Sequence, residues 1–346
     1  MSDKTWWNRD ALAARLPALT MRAQVLAAIR AHFACEGFIE VETPYLQVSP
    51  GMEPHIMALA TELTEPLHGG VRRLYLHTSP EFAMKKLLVG GVERLFQLAR
   101  VWRDGERSPI HHPEFTMLEW YRARAGYDVL MADCENLLRA AATAANVTTL
   151  VHGERRCDPF APFRRLTVAE AFGEYCAIDI LATAPNPAVP DPGLLAAEAR
   201  RIGLFVSERD SWEDIFFRVM LDRIEPRLGD GVPTILCEYP ISMAALSRPS
   251  PRDGHVAERF ELYACGLELA NAFGELVEAR EQRRRFEADM ALKETIYGIR
   301  YPIDEDFLAA LETGMPESAG IALGVDRLVM LLAGAERIEE VLWAPV

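Results

Sequence analysis

The chain has 346 residues, half of them hydrophobic and a quarter charged, with a formal net charge of −14. That length accommodates one large domain or two small ones, either with a substantial core. The acidic balance speaks against a face that grips a polyanion, which needs clustered Lys and Arg, and favours a small-molecule substrate or a basic protein partner.

In chain order, Thr20 to Cys35 carries apolar residues at helical spacing and stops at Gly37, a natural helix end. Phe38 to Val41 is extended and is halted by Pro44. Ser79-Pro80-Glu81 announces a second helix, closing at Gly90-Gly91: a hydroxyl cap, a proline in the first turn and an acid beside the positive helix end. Two β-type segments, Arg94 to Arg103 and Glu114 to Arg122, flank a loop rich in Gly, Pro and His, and residues 128–146 read as helix. The prolines of 181–193 forbid regular pairing and mark a surface excursion of one domain. Helix returns at 211–228 and after Glu275. Strands are expected at 232–240, 258–272 and 319–325, with a last helix from Asp326. Late strands without regular strand–helix alternation predict an α+β fold with an antiparallel β-sheet flanked by helices.

Six cysteines stand singly without C-x-x-C, and eight histidines lack H-E-x-x-H spacing. Neither a zinc knuckle nor a disulfide framework is indicated, and a reducing cytoplasm fits. The first residues lack the apolar core of a signal peptide, and no apolar run reads as membrane-spanning.

There is no G-x-x-x-x-G-K-S/T loop and no G-x-G-x-x-G, so a nucleotide would have to be held by side chains. Three arrangements are equipped for this. In the first, Arg103 ends a strand and is followed by Asp104-Gly105-Glu106, His112 and a second strand whose Met117, Glu119 and Tyr121 share a face. Arg103 reads either as a bidentate grip on a phosphate or carboxylate or as a surface salt bridge. In the second, Glu268, Asn271 and Glu275 sit among apolar neighbours, suited to Mg²⁺ and an ammonium group or, equally, to capping a helix start. In the third, Gly320 to Leu328, Asp326 reads as a helix N-cap and Arg327 stands at the positive helix end, where a bound anion would resolve the conflict.

Taken together these residues resemble the signature motifs of class II aminoacyl-tRNA synthetases, in the lysyl branch. Residues 37–44 resemble motif 1, residues 94–122 motif 2 and residues 320–334 motif 3. Ser79-Pro-Glu81-Phe-Ala-Met-Lys85-Lys, Pro113 to Met117 and Glu268 to Glu275 match lysyl-type sequence nearly residue for residue. Residues 1–19 are an N-terminal extension on this reading and 20–346 one catalytic domain, with no room for the anticodon-binding OB-fold of a bacterial lysyl-tRNA synthetase. In that respect the chain is similar to a truncated paralogous family, the elongation factor P–(R)-β-lysine ligases. Those enzymes use ATP to activate β-lysine and transfer it to a lysine side chain of elongation factor P.

The resemblance implies roles residue by residue. Arg103 would hold the α-phosphate and the substrate carboxylate, and Arg327 the γ-phosphate. Asp104, Gly105, Glu106 and His112 would lie along ATP, Leu269 would line its site, and Gly324 would admit it close to the backbone. Glu268 and Glu275 would face Mg²⁺. Ser79, Pro80, Glu81, Glu119, Tyr121, Asn271 and Glu275 would surround the amino acid. A homodimer formed around Glu42 and Pro44 of motif 1 is also implied. Two positions depart from the lysyl pattern: the acid of Arg-x-Glu is displaced to Glu106, with Gly105 in its place, and Ala322 replaces a glycine. The added methyl favours β-lysine over α-lysine, by about 1–3 kcal/mol for one such group. The alternatives are tRNA charging by a truncated lysyl-tRNA synthetase and an inactive regulatory paralogue.

Overall fold

Asn8 opens the first helix: its side-chain oxygen accepts from the N–H groups of Asp10 and Ala11 at 3.1 and 3.4 Å. The computed structural model describes residues 5–66 and 69–346. Residues 1–4, the start of the expected extension, lie outside the described residues. Helix α1 (Arg9–Cys35) therefore begins well before Thr20, and Pro17 inside it is what makes the early turns hard to read as helix. Contrary to the sequence reading, α1 is long and apolar enough to cross a membrane. Its Leu19, Val25, Ile29 and Phe33 are nevertheless buried in the protein, as is Arg22, so one face of the helix packs on the core.

Next come β1 (Ile39–Glu40), β2 (Leu46–Gln47), β3 (Ala60–Glu65), β4 (Gly70–Leu76) and α2 (Glu81–Val89). The strand pair β5 (Arg94–Trp102) and β6 (Glu114–Ala123) follows, then α3 (Tyr127–Ala144), β7 (Leu150–His152), β8 (Arg155–Cys157) and β9 (Arg164–Thr167). An excursion carries α4 (Val168–Cys176), α5 (Pro192–Arg201) and α6 (Trp212–Val219). The chain closes with β10 (Thr234–Pro240), β11 (Val256–Ala264), β12 (Leu267–Gly274), α7 (Ala279–Tyr297), α8 (Glu305–Gly314), β13 (Ser318–Gly324) and α9 (Val325–Ala333).

The main sheet has eight strands in the order β1-β5-β6-β13-β12-β11-β10-β9. From β5 to β10 every pairing is antiparallel, as expected, whereas the edge strands β1 and β9 pair parallel and make the sheet mixed. The segment 258–272, expected as one strand, is the hairpin β11–β12. Cys265 and Gly266 both have positive φ (52° and 73°), the geometry of a two-residue hairpin turn, but apolar residues on either side conceal it. The helical stretch near 211–228 is α6 continued by a π turn at Met220–Ile224 and a 3₁₀ turn at Glu225–Arg227. The proline-rich excursion ends where Asp191 caps α5.

Alternation along β6 divides the protein. Leu118 and Trp120 point into a core with α1, α3 and α9, while Met117, Glu119 and Tyr121 point to the opposite face. Trp120 is fully buried, and its truncation to Ala would cost about 3–5 kcal/mol. On the other face α2, α7 and α8 pack through Phe82, Phe286 and Phe307. The excursion has a core of its own around Phe172, Trp212 and Phe216.

Candidate active site

Opposed residues in an antiparallel sheet share a face, and one such row crosses five strands: Gln97, Glu119, Ala322, Asn271 and Glu261. The next row holds Tyr121, Gly320, Phe273 and Arg259. Over these rows lies a cavity of about 410 Å³. Its wall includes Ser79, Glu81, Arg103, Glu106, His112, Glu119, Tyr121, Glu268, Leu269, Asn271, Glu275, Gly324 and Arg327. Of the residues expected at the site, only Pro80, Asp104 and Gly105 are not on that wall. Pro80 is the residue before α2, and the Asp104 N–H is directed to the carbonyl of Met57 at 2.8 Å.

At one end of the cavity three carboxylates meet. Ser79 does not occupy the N-cap position, yet its hydroxyl accepts from the Glu81 N–H at 3.0 Å and donates to Glu119 Oε1 at 2.5 Å. Tyr121 donates to Glu119 Oε2 at 3.0 Å. Burial, reinforced by the charge of Glu81, pushes the Glu119 carboxyl up to about 8. Lys85, one turn along α2 from Glu81, is fully buried with its Nζ 2.5 Å from both Glu81 and Glu275. Burial disfavours that ammonium, but Glu275 and Glu81 outweigh it and raise its pKa. Gly320 makes this packing possible: a Cβ there would stand 2.2 Å from the Tyr121 ring and 2.4 Å from Glu275 Oε1. Asn271 Oδ1, on the neighbouring row, is buried without a hydrogen-bond partner among the described residues, an acceptor open to an ammonium group.

The other end is cationic. Arg103 has a long ion pair to Glu106 at 3.7 Å, its guanidinium lies 5.2 Å from the Phe115 ring centre, and its buried Nε has no hydrogen-bond partner among the described residues. It faces the cavity and is not a surface salt bridge. Asp326 is not the N-cap of α9; Gly324 is. The Asp326 carboxylate instead pairs with buried Arg22 and accepts from the Thr116 N–H at 2.7 Å, tying α1, β6 and α9 together. Arg327, next along, is thereby placed with Nη1 donating to the Glu268 carbonyl at 2.8 Å and Nη2 lying 2.6 Å from His111 Nε2.

Asn271 lies within β12 and Glu275 just after it, while α7 starts only at Ala279, which removes the helix-capping alternative for both. Glu268 and Glu275, the pair assigned to Mg²⁺, have different surroundings. Burial pushes Glu268 up to about 7, Glu261 adds to the rise and Arg327 opposes it. Glu275, also raised to about 7 by burial, faces Lys85 and Glu81. Glu225 beside Glu261 is likewise raised to about 7, by burial and by that neighbour. Both Glu261 oxygens are engaged, by Arg259 and Tyr263 at 2.6 Å each.

Glu225, Arg259 and Glu261 carried no role in the sequence reading, nor did His111 or Lys85. Charged Arg259 and Glu261 at period two inside an apolar strand were the available signal. Nothing local marks Glu225, which reaches the site from the excursion. Among the described residues no three His, Cys, Asp or Glu side chains converge as metal ligands.

A comparison with protein families matches residues 12–346 to class II tRNA synthetases of the D, K and N group, and the chain belongs to that family. The fold is thus the class II catalytic domain, and the family's common chemistry is ATP- and Mg²⁺-dependent amino-acid activation.

Proposed function

We propose that this class II synthetase activates a diamino acid, (R)-β-lysine or lysine, as its adenylate and passes it to the ε-amine of a lysine on elongation factor P. The observation that carries the substrate class is the trio Glu81, Glu119 and Glu275 gathered at one end of the cavity around a single buried lysine. Carboxylates are concentrated in a largely dry pocket at a cost in desolvation, which two substrate ammonium groups would offset.

Activation begins with in-line attack of the substrate carboxylate on the ATP α-phosphorus, releasing pyrophosphate. Arg103 and Arg327, both on the cavity wall, would neutralise charge that develops on the phosphoryl oxygens and the leaving group. Mg²⁺ bound through nucleotide phosphates needs only one or two protein carboxylates, so the residues fit it without a protein cage. Glu268, with Glu261 and Glu225 as its acidic neighbours, would hold it, and the ion would supply Lewis-acid stabilisation of the phosphates. Transfer is attack of the neutral acceptor amine on the adenylate carbonyl, with AMP leaving.

For the acceptor, support comes from the likeness to the elongation factor P ligases; for β-lysine as donor it comes also from Ala322, which lies between Glu119 and Asn271 in the substrate row. Exposed Ile39, Tyr45, Leu46 and Val48 around motif 1 support a homodimer, and the free cysteines support a cytoplasmic setting.

The test is ATP–pyrophosphate exchange with L-lysine and (R)-β-lysine side by side, followed by mass measurement of elongation factor P. Exchange with a diamino acid and a matching mass increase are expected. Lysine charging of bulk tRNA with unmodified elongation factor P would replace this reading with a tRNA-charging enzyme. Absence of exchange with both amino acids would replace it with a regulatory paralogue.

A further inference from the structure

Lys85 has no access to solvent, yet it touches two of the carboxylates that line the amine end of the cavity, Glu81 and Glu275. We propose that Lys85 is a built-in counter-ion that keeps Glu81 and Glu275 ionised and aimed into the cavity, so the amine end stays negatively charged for the ammonium groups of a diamine. This rests on the diamino-acid reading and names what sets its selectivity. Lys85 is a positioning residue, since it acts on substrate only through the two glutamates.

The geometry supports the role. Glu81 and Lys85 are one turn apart on α2, where i and i+4 side chains meet. Glu275 comes from the end of β12 on the opposite wall, so the ammonium links two elements that bound the cavity. The other groups facing this cluster are Glu53 beside Glu81, Glu119 and Tyr121 of β6, and Arg248 near Glu275. None but Arg248 is cationic, and Arg248 is already engaged with Glu258 at 2.6 Å. Without Lys85, three carboxyl groups would share a buried site and proton uptake would relieve the repulsion. A protonated carboxyl no longer prefers an ammonium ion to a neutral group. Fixed negative charge disfavours neutral side chains as well as attracting diamines.

The experiment is ATP–pyrophosphate exchange from about pH 6 to 9 with the full chain and its K85Q and K85R variants, using L-lysine and (R)-β-lysine. Gln keeps hydrogen-bond donors for both carboxylates but lacks the charge. For K85Q the KM for either diamine should rise about tenfold or more near pH 7, the ATP KM should stay within about twofold, and the deficit should shrink as pH rises. K85R, which keeps the charge, should retain the parental pH profile. An unchanged KM and pH profile in K85Q, or an equal rise in the ATP KM, overturns the proposal.

Should K85Q not fold, calorimetry of the unmodified protein in two buffers near pH 8 decides. Diamine binding should then release no more than about one proton, from Glu119, and release of two or more overturns the role of Lys85. Loss of exchange with both diamines in the unmodified protein would defeat the substrate reading instead. Intact exchange with an unaffected K85Q would defeat only the counter-ion.

Discussion

The two ends of the cavity are built on opposite plans. At the amine end the three central carboxylates have protein partners: Glu81 and Glu275 share Lys85, and Glu119 takes both Ser79 and Tyr121. At the cationic end Arg103 makes only a long ion pair to Glu106, and the Arg103 and Arg327 side chains keep 24% and 20% of their surface exposed. The difference is physical. A small diamine brings few contacts and must be recognised by groups already fixed, because mobile carboxylates would lose rotamer entropy on binding. A nucleotide triphosphate brings its own dense charge and can order arginines as it docks.

The strongest break of this contrast is at Arg327. Its hydrogen bonds are to two backbone carbonyls and His111, with a long ion pair to Glu268 at 4.0 Å, so Arg327→Ala should preserve the fold while exchange activity falls by about 10²–10³ or more. Exchange assays paired with a thermal melt check it, and retained exchange would show that the anion is held elsewhere. The opposite outcome is expected one residue upstream. Arg22→Ala leaves Asp326 buried and unpaired and should cost about 3–5 kcal/mol in denaturant unfolding. A near-neutral result would mean that the α1–α9 tie is not what positions Arg327.

Gly320→Ala tests the crowded end. The methyl would displace Tyr121 or Glu275, so KM for the diamine should rise about tenfold while the ATP KM holds. Equal loss of both would show that the two ends are not independent.

The pH response separates them further. Glu119 is raised from 4.5 to about 8, so the proton it binds favours the folded state. That stabilisation is full below about pH 4.5 and is lost as pH rises through about 8, which predicts a falling melting temperature for the empty protein over that window. Binding of a diamine needs the ionised form, so its KM should fall by up to about tenfold per pH unit toward pH 8. Glu119→Gln should remove this part of the pH dependence of the melting temperature; if the slope persists, another group is responsible. The smallest effect is expected at Ala322, where Ala322→Gly should shift the preference between lysine and β-lysine by about 1–3 kcal/mol in kcat/KM.

Much of this site was legible beforehand. The strands at 94–103 and 114–122, the helix opened by Glu81 and the strand before Arg327 all appear where apolar period and caps place them. Less legible were segments whose signal is local and brief. The capping box Thr167–Glu170 that starts α4 is present in the sequence but has only a short helix behind it. The Cys265-Gly266 turn lies inside one continuous apolar run.

The sequence by itself determined the principal helices and strands, the three motifs and many of the residue types that line the cavity, because these depend on spacing of a few residues within one helix or strand. Tertiary structure alone decided which of those charges act together. It set Glu275 with Lys85 and Glu81 rather than with Glu268, used Asp326 as an internal ion-pair partner rather than a cap, and brought Glu225 to Glu261 from a separate excursion. Electrostatic pairing falls off with distance in space and is blind to distance along the chain, so only the packed sheet could choose the partners.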